Sequence, residues 1–97
     1  MSNPYFRFKQ FTVWHDRCAM KVGTDGVLIG AWCDVDACRR ILDVGCGTGL
    51  ISLMIAQRTS DRTMIEGVEI DAVAAEQAAE NTDRSPWKNR LRIHTSD

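Results

Sequence analysis

No sign of charge dominates this chain: 12 Lys and Arg stand against 13 Asp and Glu, for a formal net charge of −1. A global field that would draw in nucleic acid or an acidic surface is therefore lacking. Long apolar runs are lacking as well. The opening Met-Ser-Asn-Pro-Tyr-Phe-Arg-Phe-Lys has no apolar stretch of signal-peptide length. No later segment approaches the roughly 18 apolar residues of a membrane span. The four cysteines, Cys18, Cys33, Cys38 and Cys46, form no Cys-x-x-Cys pair. That pattern argues against a metal site and for reduced thiols in the cytoplasm. Internal repeats and low-complexity stretches are also missing.

What is present suits one small domain: 97 residues, 44% hydrophobic and 26% charged. Phe6-Arg-Phe-Lys-Gln-Phe-Thr-Val-Trp-His alternates apolar and polar side chains for several residues, a strand pattern. Cys18-Ala-Met-Lys-Val, after a polar break, supplies the second strand of an expected hairpin. Thr24 or Asp25 is placed to cap a short helix over Val27–Trp32. Strands are then expected at about Arg40–Val44, Met64–Ile70 and Leu91–Thr95. Helices are expected from Leu50 to about Arg58 and from Ala72 to about Asn81, the latter with Asp71 as N-cap. Strands alternating with helices imply β-α-β units and a parallel sheet. The division expected is 1–38 for hairpin and helix and 39–97 for the β-α units.

The densest signal is Ile41-Leu-Asp-Val-Gly-Cys-Gly-Thr-Gly, an apolar strand entering a glycine-spaced turn, with the aliphatic run from Leu50 following at once. Gly45, Gly47 and Gly49 remove Cβ atoms where backbone must turn tightly and approach a ligand. Asp43 beside this turn suits a cationic ligand group better than a pyrophosphate, and Leu50 departs from the dinucleotide pattern G-x-G-x-x-G. Glu69 ends the second strand about twenty residues after Gly49, where a carboxylate offers two acceptors to neighbouring ribose hydroxyls. Asp71 competes for that role but is expected to be occupied as an N-cap. Cys46, inside the turn, reads as a small filler residue, since no histidine is near to activate it. Basic residues gather in two groups, Arg7, Lys9, Arg17 and Lys21, then Arg84, Lys88, Arg90 and Arg92. Each reads as a solvated face unless the fold brings the two together.

Asp43-x-Gly45-x-Gly47-x-Gly49 resembles motif I of the Rossmann-like S-adenosylmethionine-dependent methyltransferases. With Phe8-Lys-Gln-Phe-Thr-Val, Cys18-Ala-Met-Lys-Val-Gly-Thr-Asp-Gly, Val68-Glu-Ile-Asp, Ala78-Ala-Glu-Asn and Ser85-Pro-Trp, residues 5–97 are similar to the bacterial tRNA adenine-N6 methyltransferases that act on adenine-37 of a valine tRNA. The resemblance implies an α/β fold, the first three β-α units of a class I methyltransferase sheet preceded by a hairpin and short helix. It implies S-adenosyl-L-methionine as cofactor and tRNA as partner. It puts Asp43 near the methionine ammonium, with Gly45, Cys46, Gly47 and Gly49 passing under ribose and methionine. Lys21 would face the methionine carboxylate, Thr24 and Asp25 would line the pocket, and Asp97 would accept from the adenine amino group.

The resemblance stops short of the acceptor site. Enzymes of that group carry Asn-Pro-Pro followed by Tyr or Phe after a fourth strand, to align the target amino group and stack the flipped base. The 97 residues contain no such motif; Asn3-Pro4-Tyr5 lacks the second proline and follows no strand. The expectation is a cofactor-binding half, inactive alone, with no catalytic residue assigned and an apolar sheet edge at Ile41–Val44 open to self-association. Two alternatives remain at this level. One is another amino-methyltransferase, acting on ribosomal RNA guanine or protein glutamine. The other is a non-catalytic module that binds S-adenosylmethionine or another nucleotide.

Overall fold

A computed structural model of the chain describes residues 4–18, 22–35 and 38–96. Strands β1 (Tyr5–Arg7) and β2 (Thr12–Trp14) pair antiparallel, with Phe6 opposite Val13. Helix α1 (Thr24–Trp32) leads to β3 (Arg40–Val44), α2 (Leu50–Arg58), β4 (Met64–Glu69), α3 (Ala72–Asp83) and β5 (Leu91–Thr95), the last entered through a short 3-10 turn at Lys88–Arg90. The second sheet is parallel throughout, in the order β3-β4-β5. The α/β class and the three-strand parallel half are as expected, with strand and helix limits close to those read from the sequence.

The hairpin differs. Its turn falls inside the segment that reads as one strand: the Phe8 N–H donates to the Phe11 carbonyl at 2.8 Å, and the two rings stack with centroids 4.6 Å apart. The apolar positions change parity across the two-residue turn at Lys9-Gln10, from 6 and 8 before it to 11 and 13 after it. Cys18 and Val22 lie outside any strand, and Val22 is held instead by its N–H donating to His15 Nδ1 at 3.0 Å. Helix α1 also begins differently. Gly23 is its N-cap in extended backbone, so Thr24 and Asp25 occupy the first helical turn rather than the cap.

The core lies between the helices and one face of the parallel sheet, with Leu53, Ala56 and Ile65 at zero exposure. Polar groups at its margin are satisfied. Arg90, buried despite its charge, donates to the Ala56 and Thr63 carbonyls at 2.6 and 2.9 Å, closing the C-terminal end of α2. Two glycines set the spacing. A Cβ at Gly30 would stand 2.6 Å from Met54 Sδ between α1 and α2; one at Gly67 would stand 2.8 Å from Ile93 Cδ1 and 3.0 Å from Cys46 Sγ. The other sheet face is open: Leu42, Val44 and Ile70 are 60%, 75% and 69% exposed.

Candidate ligand site at the glycine turn

Beyond Val44 the backbone reverses through Gly45, Gly47 and Gly49, whose φ values of 69°, 53° and 86° lie in the left-handed region that side chains disfavour. The turn stays attached to the sheet, because the Gly45 and Cys46 N–H groups both donate to the Val68 carbonyl. The three glycines face different surroundings. A Cβ on Gly45 or Gly47 would meet nothing within 4 Å, whereas at Gly49 it would meet the Ala78 Cβ at 3.6 Å. The first two therefore border open space, and the third lets α3 approach the turn.

Two carboxylates flank that space. Glu69, half-buried at the end of β4, accepts from the Gly47 N–H at 2.8 Å and from the Asp71 N–H at 3.0 Å. It ties the glycine turn to the start of α3, and a carboxylate retains further lone pairs for other donors. Asp71 is the N-cap of α3, accepting from the Val73 N–H. Asp43, also half-buried, accepts from the Ser52 hydroxyl at 2.7 Å. Burial raises its pKa above the ordinary 3.8, the Ser52 bond lowers it, and the nearby Glu69 charge raises it again.

Cys46 is buried, with its thiol against Gly67 on β4 and its pKa pushed up to about 12, mainly by burial and then by the Asp43 and Glu69 charges. It can reach the open space only through its backbone. Gly26 of α1 is brought to the start of α2, since a Cβ on it would stand 3.0 Å from the Leu50 side chain. Thr24 opens the same helix, and Asp25 is exposed and lines a separate surface hollow with Leu28, Ile29, Trp32 and Cys33. Lys21 and Asp97 lie outside the described residues. Among the described residues no group of three or more His, Cys, Asp or Glu could hold a metal, and no helix is long and apolar enough to cross a membrane.

Three neighbours of the site went unread in the sequence. Ser52 is a lone hydroxyl within an aliphatic helix, a signal only once the helix phase relative to Asp43 is known. Asn81 reads as the end of α3, yet the helix runs on to Asp83 and Asn81 is 1% exposed. Its amide accepts from the Trp14 N–H at 2.9 Å and donates to the Trp14 and Thr48 carbonyls at 2.9 and 2.8 Å. It thereby fastens both hairpin and glycine turn to α3. Ile70 places an exposed apolar side chain directly after Glu69.

A family model described as methyltransferase small domain matches residues 23–97. A tRNA1(Val) (adenine(37)-N6)-methyltransferase of Bacteroides thetaiotaomicron is 61% identical over all 97 residues, which make up 41% of that protein. The protein of the same name from Cronobacter sakazakii is 60% identical over 92 residues, 95% of this chain and 38% of its own length. The chain thus spans about two fifths of the curated relatives it matches. Among solved structures, P. horikoshii TYW2 in complex with MeSAdo superposes with a TM-score of 0.77 at 16% identity, covering 96% of this chain and 35% of that one. A SAM-dependent methyltransferase from Thiobacillus denitrificans in complex with S-adenosyl-L-homocysteine gives 0.61 at 21% identity, covering 74% and 28%. These two likenesses establish the fold.

Proposed function

The chain belongs to the methyltransferase small domain family, and from that premise we propose that it holds S-adenosyl-L-methionine for N6-methylation of adenine-37 in a valine tRNA. The observation that carries this reading is the Cβ-free space over Gly45 and Gly47, bordered by the Asp43 and Glu69 carboxylates. A cofactor with an ammonium group, ribose hydroxyls and a flat base fits such a lining. The high identity to tRNA1(Val) methyltransferases supports the choice of substrate.

In this reading each group has a task. Glu69, already fixed by two backbone donors, turns its remaining lone pairs to the ribose hydroxyls. Asp43 faces the methionine ammonium, and Ser52 holds its carboxylate in one orientation. The exposed Ile70 gives the adenine ring an apolar seat. Lys21 and Asp97 take the methionine carboxylate and the adenine amino group, with Thr24 and Asp25 at the pocket wall. The cofactor supplies an electrophilic sulfonium methyl, and the contribution of these residues is to hold it in line for attack. Base alignment is assigned to none of these 97 residues, which span about two fifths of the relatives' length. The tRNA is the chain's partner, the cytoplasm its place, and the β3 edge a site where its copies associate.

Calorimetric titration with S-adenosylhomocysteine, with NAD as control, tests the pocket. Saturable binding that is lost in Asp43→Ala and Glu69→Ala is expected, with none to NAD. A chain that circular dichroism shows to be folded, yet that takes up no S-adenosylhomocysteine, would overturn the proposal.

A further inference from the structure

We infer that the N-terminal hairpin, together with the end of α3, forms a docking groove for a single-stranded or looped segment of RNA. This rests on the reading above that the substrate is a tRNA. The groove is an open cleft of about 780 Å³ between the hairpin and Arg84. The fold here brings together three members of the two basic groups of the sequence. Arg7 and Lys9 on the hairpin and Arg84 at the C-cap of α3 line one cleft, although more than seventy residues separate them along the chain.

Of the other described cations in those groups, Lys88 and Arg92 are exposed outside the cleft, and two are engaged. Arg17 pairs with Glu76 and Glu80 on α3, and Arg90 is buried against backbone carbonyls. Arg7, Lys9 and Arg84 are exposed and, among the described residues, pair with no carboxylate. Among the described residues no acidic side chain lines the cleft; Asp83 adjoins Arg84 in sequence.

Aromatic rings stand between the charges. Tyr5 and Trp14 face each other across the hairpin with centroids 5.0 Å apart, and the Arg84 guanidinium carbon lies 5.9 Å from the Trp14 ring centre. Cations alternating with rings suit phosphates and unstacked bases together, the pattern by which proteins hold single-stranded nucleic acid. An acidic peptide would use the cations and leave the rings without a purpose. The groove is also tied to the glycine turn, because Asn81 bonds both Trp14 and Thr48. RNA seated here is thus held at a fixed offset from the cofactor pocket.

The test is fluorescence anisotropy of the 97-residue chain with a labelled valine-tRNA anticodon stem-loop, over a series of salt concentrations. The variants are Arg7→Gln/Lys9→Gln, Arg84→Gln and Tyr5→Leu, with Arg62→Gln, an exposed cation outside the groove, as control. The double variant is expected to weaken RNA binding about tenfold or more and to flatten the salt dependence by about one unit of slope per cation removed. Tyr5→Leu is expected to weaken binding with the slope unchanged, since a ring contributes stacking rather than charge. Binding of S-adenosylhomocysteine should stay as in the unsubstituted chain, which separates this proposal from the pocket assignment. Three results would overturn it: no RNA binding, groove variants that behave like Arg62→Gln, or a polyglutamate peptide that competes as well as the stem-loop.

Discussion

At the mouth of the glycine turn, burial and the Glu69 charge raise the Asp43 carboxyl above its ordinary 3.8, and the Ser52 hydroxyl offsets only part of this. The folded chain then binds the Asp43 proton more tightly than the unfolded chain does. Stability associated with this group is full at low pH and declines as pH rises from about 3.8 through the raised folded value. Asp43→Asn keeps an acceptor for Ser52 and removes the buried charge. Its melting temperature should exceed that of the parent at pH 7, with the gain vanishing below pH 3.8, while affinity for S-adenosylhomocysteine falls. Thermal melts across the acid range check the sign; a variant less stable at pH 7 would contradict it. Cys46 makes a second case. With its pKa pushed to about 12 against an ordinary 9.0, it holds about a thousandfold less thiolate at pH 8 than an unperturbed cysteine. Iodoacetamide labelling followed by mass spectrometry should find exposed Cys38 modified and Cys46 protected until the chain is denatured. The filler role of Cys46 was legible because no activating histidine was near. The Ser52 contact was not, because a helix pattern gives periodicity without the register that sets one residue against a strand.

Among the elements, the glycine turn is positioned by what packs beneath it. Gly67 on β4 leaves no space for a methyl group between Ile93 and Cys46. Gly67→Ala should cost about 1–3 kcal/mol through overpacking. Because the displaced neighbour belongs to the turn, ligand affinity should fall too. Calorimetric melting and S-adenosylhomocysteine titration of the same variant would show both effects; a loss of stability alone would mean that β5, not the turn, gives way. The parallel half of the fold was readable from the sequence because strand, glycine turn and helix each carry their own local signal. The hairpin was misplaced for a physical reason. The consecutive polar pair Lys9-Gln10 interrupts the period-two alternation where the chain turns, but it has neither the glycine nor the asparagine that announces a tight turn. Asn81 was unreadable in the same way. Its bonds run to Trp14 and Thr48, far along the chain, so no local rule could identify it as a brace.

At the level of the whole molecule, the helices cover one face of the parallel sheet and leave the other bare. Leu42 and Val44 project from β3, which among the described residues pairs with β4 alone. Unpaired backbone N–H and C=O groups beside exposed aliphatic side chains form a template for association. Sedimentation velocity should show concentration-dependent self-association of the 97-residue chain. The register suggests how to suppress it. Leu42 lies opposite Glu66 on β4, so Leu42→Lys places a cation across from a carboxylate and a charge on the edge. A cross-strand pair of this kind contributes about 0.2–1 kcal/mol, so the variant should be a monomer at least as stable as the parent. Leu42 belongs to the open face rather than to the glycine turn, so S-adenosylhomocysteine affinity should not change. A parent chain that sediments as a monomer at every concentration would refute association through this edge. A variant that remains associated would move the contact to another surface, with the exposed Trp32 on α1 next to be substituted.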